Sequence, residues 1–458
     1  MFSVRFCLTR LLVFFFVNLG WFHSASALEW RVVPGLTYNE MFSDNLTLSS
    51  ANKKSGFVTE ISPSLSLNTN SAWSDFNLFY RLQGLQNAGG RDEVDLNSQL
   101  QMNSKTQLIR NRLFLDSSSS ISQQNVNNSL VVADNLTGQK NRTEVKTFSI
   151  SPYWNHQIGQ YANLLLRASY DKASFDNNNV FNNNALLSNL LTDTDTFSET
   201  ASLNSGSAFS KLQWNLYFSD KKQSSVSGRD VSFQHSEAGL RYFIAREYNV
   251  FGQFGYDDNS FSTINSSSTN GFFYTFGGQW RPSPWYSVEV GIGNNKHITV
   301  SFNPIYNLSG SVTFRNKDVG LNKGDSWDSS IIYTRGMANW SFNYRQETST
   351  VQQQILKQIS ETYKLVDMST NQVLGLLTYV GNTSRLVDDV LVIKTANLGF
   401  TYQTGKSTFN ANAFSTKRTY ELNADDEDTV FGVSGGWQWA FEPNLRFYVQ
   451  PLWQSIDT

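Results

Sequence analysis

The feature that most constrains this chain is a strict alternation of apolar and polar residues, in runs of about 9 to 12 residues. Between Val94 and Lys105, apolar residues share one parity and amide or charged residues share the other. Successive side chains of a strand point to opposite faces, so this pattern predicts strands with one apolar and one polar face. Similar runs recur at residues 76–83, 163–171, 286–293 and 431–439. Their length exceeds the usual five or six residues of a soluble strand and matches a tilted membrane strand.

The composition agrees with such strands. Charged residues make up only 16% of the chain, below the roughly 25% of a soluble protein, and Asn and Ser supply most of the polarity. The 34 Phe, 19 Tyr and 12 Trp are too many for a disordered chain. A formal net charge of −2 disfavours a nucleic-acid binder.

Residues 1–27 are predicted to be a signal peptide rather than part of the fold. Arg5 and Arg10 give a positive segment before the apolar run from Leu11 to Phe22, and the small residues at 25–27 suit a cleavage site. The only cysteine, Cys7, would leave with this peptide. A mature chain without a thiol has no disulfide, no thiolate nucleophile and no Cys-based metal site.

Short and long links alternate along residues 28–458, which predicts an up-and-down arrangement. The longest links are expected near residues 124–142, 172–194 and 348–387. The segment Val351 to Val387 is either a constriction or plug inside a barrel or a plain loop. The predicted fold class is therefore all-β, a large antiparallel up-and-down transmembrane β-barrel. A secreted β-solenoid would need a regular repeat of about 20 to 50 residues, which the sequence lacks.

The strand count gives a further expectation about the C-terminus. Runs from Trp30 to Trp453 number about 20 or 21, whereas a bacterial barrel has an even number of strands. The last run would point away from the short links where the sequence stops. We expect a C-terminal truncation lacking one or three strands, with a miscounted strand as the alternative. Two prolines, Pro63 and Pro152, fall inside strand-like runs, and a bulge or a rim position would accommodate them.

Several short motifs, in order, resemble a known family. They are residues 57–63 (FVTEISP), 80–85 (YRLQGL), 121–125 (ISQQN), 141–145 (NRTEV) and 340–344 (WSFNY). Together they resemble the outer-membrane proteins associated with PEP-CTERM/exosortase systems, over most of Trp30 to Trp453. The resemblance implies a barrel linked to exopolysaccharide and protein-sorting genes. Relative to that family, residues 295–323 carry an extra hairpin, and the family pattern continues past the end of this sequence.

Charged residues on the polar parity are the candidate lumen lining. An Arg on the lipid face near the bilayer midplane would cost about 2–4 kcal/mol, so these residues are expected to face inward. They are Glu60, Arg81, Asp95, Arg167, Arg241, Glu289 and Arg446. Either they form a salt-bridge lattice, or they line a pore and bias the passage of solutes by charge. Because both signs occur, no strong ion preference is expected.

Tryptophans near predicted strand ends suit the aromatic girdles of a membrane barrel, with sugar stacking as the alternative. They are Trp30, Trp73, Trp154, Trp280, Trp285, Trp340 and Trp453. The glycine pairs 277–278 and 435–436 are expected to relieve crowding or mark bends, because no phosphate-loop pattern surrounds them.

The sequence predicts no enzyme, no cofactor and no metal site. His156, His235 and His297 are not spaced with other ligands as a metal site requires. His235 next to Ser236 is the one local cluster that suggests hydrolysis, but neighbouring strand residues face opposite sides. His235 is therefore expected at a rim or in a loop.

Two functions remain open from the sequence. The first is a channel or export conduit in the outer membrane of a Gram-negative bacterium, linked to an exopolysaccharide/PEP-CTERM protein-sorting system. The second is a non-transporting surface scaffold or matrix-binding barrel. The expected partners are outer-membrane lipid, the barrel-assembly machinery, and polysaccharide or an exported protein; no nucleic-acid partner is expected.

Overall fold

The computed structural model consists of strands joined by turns and loops. It describes residues 30–43, 46, 53–88, 94–125, 142–176, 193–225, 230–260, 270–321, 323–350, 363–367, 372–377, 390–420, 427–442, 445–449 and 451–457. The predicted signal peptide lies outside the described residues. Among the described residues, no helix is long and apolar enough to cross a membrane.

The strands are long, most of them between 10 and 17 residues. The first twelve are β1 (Trp30–Ser43), β2 (Gly56–Asn70), β3 (Ser74–Ala88), β4 (Val94–Ile109), β5 (Leu113–Asn125), β6 (Arg142–Ile158), β7 (Ala162–Phe175), β8 (Thr194–Ser205), β9 (Leu212–Ser225), β10 (Val231–Phe243), β11 (Tyr248–Ser260) and β12 (Gly271–Ser283). The others are β13 (Tyr286–Gly293), β14 (Asn295–Ile305), β15 (Leu308–Lys317), β16 (Gly324–Arg335), β17 (Ala338–Thr350), β18 (Tyr363–Asp367), β19 (Gln372–Leu377), β20 (Val390–Gln403), β21 (Ser407–Tyr420), β22 (Glu427–Glu442), β23 (Leu445–Val449) and β24 (Leu452–Asp457).

The sheet is one antiparallel meander of 22 strands. From β1 to β23 each strand of this sheet pairs with the next one, and β17 pairs with β20 past the separate β18–β19 hairpin. Both β23 and β24 pair with β22, over successive parts of its length, so the two share one position in the sheet. Among the described residues β1 pairs with β2 alone. The predicted all-β, up-and-down antiparallel fold of about 20 or more strands is confirmed.

The two edges of the sheet differ in the length of their links. At one edge, here called the short-link edge, β2–β3, β4–β5, β6–β7, β10–β11, β12–β13, β14–β15, β16–β17 and β20–β21 join through two to four residues. The opposite, long-link edge carries most of the long segments, and Asn294 alone joins β13 to β14 there. The predicted long loops near 124–142 and 172–194 lie mostly outside the described residues. Of residues 348–387, the structure describes the end of β17 and the β18–β19 hairpin.

The sheet has an apolar face and a polar face, as the alternation predicts. Across β13, β14 and β15, Val288, Val300 and Val312 form a row on one face. Ser287, Ser301 and Ser311 form the adjacent row on the other face. The apolar face presents many large exposed side chains, such as Leu96, Leu240, Ile292 and Phe431.

The polar face is concave, because side chains on it reach across intervening strands. Arg241 on β10 donates to Glu289 on β13 over 2.9 Å, past two strands. The Thr350 hydroxyl at the end of β17 donates to Gln223 on β9 over 2.8 Å. A flat sheet with strands about 4.8 Å apart would hold β9 and β17 far out of contact. We call this face the concave face and the apolar one the convex face.

Pro63 and Pro152 occupy mid-strand positions without a bulge. β2 pairs with β3 in the same register on both sides of Pro63, as Ile61 opposite Gly84 and Ser64 opposite Arg81 show. β6 and β7 behave alike around Pro152. The expected bulge or rim position was wrong. Because proline has no N–H, the β2–β3 and β6–β7 ladders lack pairs at each proline. On the other side, β1 and β5 keep their pairing with β2 and β6.

Glycines on the concave face make room for aromatic rings. Phe251 lies directly opposite Gly277, Phe273 opposite Gly255, and Phe414 opposite Gly432. A Cβ atom at any of these glycines would come within 2.5 Å of the facing ring. For Gly277 the predicted relief of crowding is confirmed.

Candidate functional site: the charged concave face

Glu60 and Arg81 form the first of the predicted charge pairs. Glu60 is buried and lies 3.7 Å from Arg81, while Gln83 donates to it over 3.0 Å. Arg81 also donates to Gln99 on β4. Amide side chains thus link the pair to its neighbours, so the charges are hydrogen-bonded within the face rather than isolated.

Arg167 takes part in a second pair with a partner that the sequence did not reveal. Its guanidinium lies 3.1 Å from Asp116, two strands away, and donates to Ser151 on the strand between them. The guanidinium also stacks 4.2 Å above the Tyr153 ring. Asp116 and Arg167 line a cavity of about 490 Å³, to which Ser118, Ser149 and Ser169 add hydroxyl groups.

Arg241 and Glu289, both predicted from parity, meet each other directly. Glu289 accepts from Arg241 over 2.9 Å, and His297 on β14 lies 3.2 Å from its other oxygen. The Arg241 guanidinium carbon lies 4.9 Å from the centre of the Phe251 ring, and the His297 ring stacks on Phe251 with 5.6 Å between the ring centres. These groups line a cavity of about 280 Å³, here called the Arg241 cavity.

The remaining two predicted residues are less informative. Asp95 lies on β4 opposite Leu85, on the concave parity. Arg446 lies on β23 opposite Ala440, and its side chain is outside the described part of the chain. For all seven residues a lumen-lining role stays a prediction.

The sequence placed His235 wrongly. It lies within β10 rather than at a rim or in a loop, with its ring stacked on Phe273 at 5.6 Å. Its Nδ1 atom is 2.7 Å from Asp257 and its Nε2 atom 3.7 Å from Glu237. Ser236 faces the other side of the strand, as alternation requires, so the two side chains do not form a nucleophile and base pair.

A cavity of about 520 Å³, here called the His235 cavity, adjoins this cluster toward the long-link edge. The turn at 318–321 closes over it, held by Asn295, which accepts from the backbone N–H groups of Asp318 and Val319. In this turn Gly320 has φ +95°, and a Cβ there would lie 2.6 Å from an Asp257 oxygen. Glycine is therefore required for the close approach.

A further ion pair, also missed from the sequence, is buried near the long-link ends of β21 and β22. Arg418 donates to Asp428 over 2.9 Å, and the Tyr420 hydroxyl donates to the other Asp428 oxygen over 2.8 Å. Arg418 is 2% exposed and Asp428 5%. Leu391 and Val430, also buried on this face, pack around the same region.

The arrangement suits the binding and passage of polar solutes. It offers hydroxyl, amide and paired charged groups along a concave surface. Within the described ranges, no three His, Cys, Asp or Glu side chains come together as a metal site. Parity alone could not find Asp116 or Asp257, because their partners become neighbours only through the strand register.

The fold resembles that of three iron-related proteins. A mutant ferric enterobactin receptor (PfeA) from Pseudomonas aeruginosa matches 93% of this chain and 75% of its own, with TM-score 0.47 and 9% identity. For the siderophore receptor PirA from Pseudomonas aeruginosa, the match covers 94% of this chain and 81% of the receptor, with TM-score 0.44 and 10% identity. For the FrpB iron transporter from Neisseria meningitidis, the match covers 94% of this chain and 74% of the transporter, with TM-score 0.42 and 11% identity. No protein-family profile and no curated protein sequence matches the chain. TM-scores below 0.5 carry no information about what this chain binds.

Proposed function

We propose that this chain forms an outer-membrane β-barrel that conducts polar solutes. The convex face supports the membrane part of the proposal. Its large apolar side chains are contiguous over many strands, and a soluble protein rarely exposes apolar patches beyond a few hundred Å². Closed antiparallel sheets are one of the two structures that satisfy every backbone group in lipid.

Tryptophans mark one boundary of this apolar face. Trp30, Trp73, Trp154, Trp280, Trp285 and Trp340 are all exposed and lie near the short-link edge. Aromatic side chains concentrate where lipid meets water, so this edge fits a membrane interface. Trp30, Trp154, Trp280 and Trp340 lie within strands on the convex parity, away from a sugar that passes along the concave face, which favours the girdle over sugar stacking.

The size and chemistry of the concave face carry the conduit proposal. Interiors of about eight strands are filled by side chains, those of 16 to 18 strands leave an aqueous channel, and barrels of about 22 strands enclose a lumen wide enough to hold a plug. The described strands fill 21 positions in the sheet. Their concave side chains include the serine row and three pairs of an arginine with a carboxylate.

The neutral hydroxyl and amide groups also suit a polysaccharide as the passing solute. A link to an exopolysaccharide/PEP-CTERM protein-sorting system rests on the sequence resemblance alone. We retain it as the specific form of the proposal, with an exported protein as the other solute. Lipid and the barrel-assembly machinery would be the partners of the convex face.

Single-channel recording in planar phospholipid bilayers tests the conduit. We expect large, stable conductance steps with weak ion selectivity, because the concave charges are paired. The control is the same preparation unfolded by heat, which should give no steps. A folded, heat-modifiable barrel without conductance would contradict the conduit and favour the alternative, a non-transporting scaffold that binds matrix.

A further inference from the structure

We infer that the His235 cavity binds an anionic solute through Lys221 and Lys317. Lys221 lies on β9 and Lys317 at the end of β15, and the curvature of the sheet brings both to this one cavity. The inference rests on the proposed function only in requiring that the concave face meets water. Binding itself does not depend on conduction.

The carboxylates of this region are already engaged with other groups. Asp257 and Glu237 approach the two ring nitrogens of His235 from opposite sides. Asp328 forms an ion pair with Arg315 on the neighbouring strand. Glu237 and Asp257 are the two carboxylates among the residues that line the cavity, and both contact His235.

Neither lysine has a salt bridge within 4.0 Å among the described residues. Lys221 interacts at longer range with Asp171 on β7. Lys317 has Asp257 and Glu237 at longer range, and the like charge of Arg315 beside it. Both side chains are only partly exposed.

Two half-buried ammonium groups without a close counter-charge are costly, since burial removes part of their hydration. An anion bound in the cavity that both lysines line would offset part of that cost. Its oxygen atoms could accept from an ammonium group in charge-assisted hydrogen bonds, the stronger class of hydrogen bond. The geometry therefore favours a carboxylate or phosphate group over a neutral one.

The rest of the cavity indicates what the anionic group is attached to. Ser219, Gln253, Asn259 and Thr275 also line the cavity and offer hydroxyl and amide groups. A volume of about 520 Å³ lies within the usual range for small-molecule sites. An acidic sugar fits these features, with its carboxylate at the lysines and its hydroxyls at the amides.

Isothermal titration calorimetry on the folded mature chain in detergent micelles tests the inference, with glucuronate, inorganic phosphate and glucose as probes. We expect saturable binding of glucuronate and none of glucose. Tighter binding of glucuronate than of phosphate would assign part of the affinity to the sugar hydroxyls, and equal binding would assign it to the oxyanion alone. Lys221→Gln and Lys317→Gln should each weaken glucuronate binding roughly tenfold or more.

Lys222→Gln is the matched control. It removes the same charge one residue away, from an exposed side chain that is paired with Asp220 on the convex side. Lys317→Arg, which keeps the charge, should retain binding, and heat-modifiable migration should confirm that every variant folds. Absence of glucuronate and phosphate binding by the unchanged chain would overturn the inference, as would equal losses in Lys221→Gln and Lys222→Gln. Neither result would bear on conductance.

Discussion

Replacing Asp428 by alanine is expected to lower the free energy of unfolding by about 3–5 kcal/mol, the usual cost of breaking a buried ion pair. The change removes the carboxylate that accepts from the buried Arg418 guanidinium and from the Tyr420 hydroxyl. Urea unfolding in detergent micelles, followed by tryptophan fluorescence, measures the loss.

Glu427→Ala is the control for this prediction. Glu427 precedes Asp428 and pairs with Lys417 over 2.7 Å, but both side chains are about half exposed. Such surface pairs contribute about 0–1 kcal/mol. The combined change Arg418→Met with Asp428→Leu should recover much of the stability, because it removes both charges. Equal losses for Asp428→Ala and Glu427→Ala would show that the pair is not buried as described.

Placing an arginine on the convex face should cost far more than placing it on the concave face. Val300 and Ser301 are neighbours on β14, in the valine row and the serine row respectively. Val300→Arg should lower the free energy of unfolding in phospholipid vesicles by about 2–4 kcal/mol, the cost of an arginine facing the bilayer centre. Ser301→Arg would point into the polar interior and should change it by about 0.5 kcal/mol or less.

Urea titration of both variants, folded into the same vesicles, checks this difference. The pair isolates the effect of the face, since the two positions share a strand, a depth and the introduced side chain. A cost at Ser301 that equals or exceeds the cost at Val300 would mean that the assignment of the two faces is reversed or that the chain does not sit in lipid.

The strands and their two faces could be predicted from the sequence because period two is a local signal. The run from Val94 to Lys105 shows this directly: its polar parity lies on the concave face, where Gln99 and Gln101 are buried. The short links were predictable for the same reason, since each one separates two runs in which apolar and polar residues alternate.

The alternation fails toward the long-link ends of the strands. On β21, Phe414 and Tyr420 lie on the concave face and are buried, while Ser415 and Lys417 lie on the convex face. The convex side chains there are polar, as expected beyond an apolar band, and the concave side packs rings. This reversal concealed Arg418 from a parity argument.

The charge partners could not be predicted, because they depend on register. Asp257 is 22 residues from His235 and Asp116 is 51 residues from Arg167. Only the pairing of β10 with β11, and of β5 and β7 with β6, brings these residues together. The close approach of the 318–321 turn to Asp257 is likewise a tertiary feature.

Thiol accessibility at residues 300 and 301 tests most directly the claim that the concave face meets water and the convex face meets lipid. The only cysteine in the sequence is Cys7, so a chain begun at Leu28 carries a single thiol in each of Val300→Cys and Ser301→Cys. In planar bilayers, a charged methanethiosulfonate reagent should modify Ser301→Cys quickly and reduce its current, and should leave Val300→Cys unchanged. Faster modification of Val300→Cys than of Ser301→Cys would contradict the account.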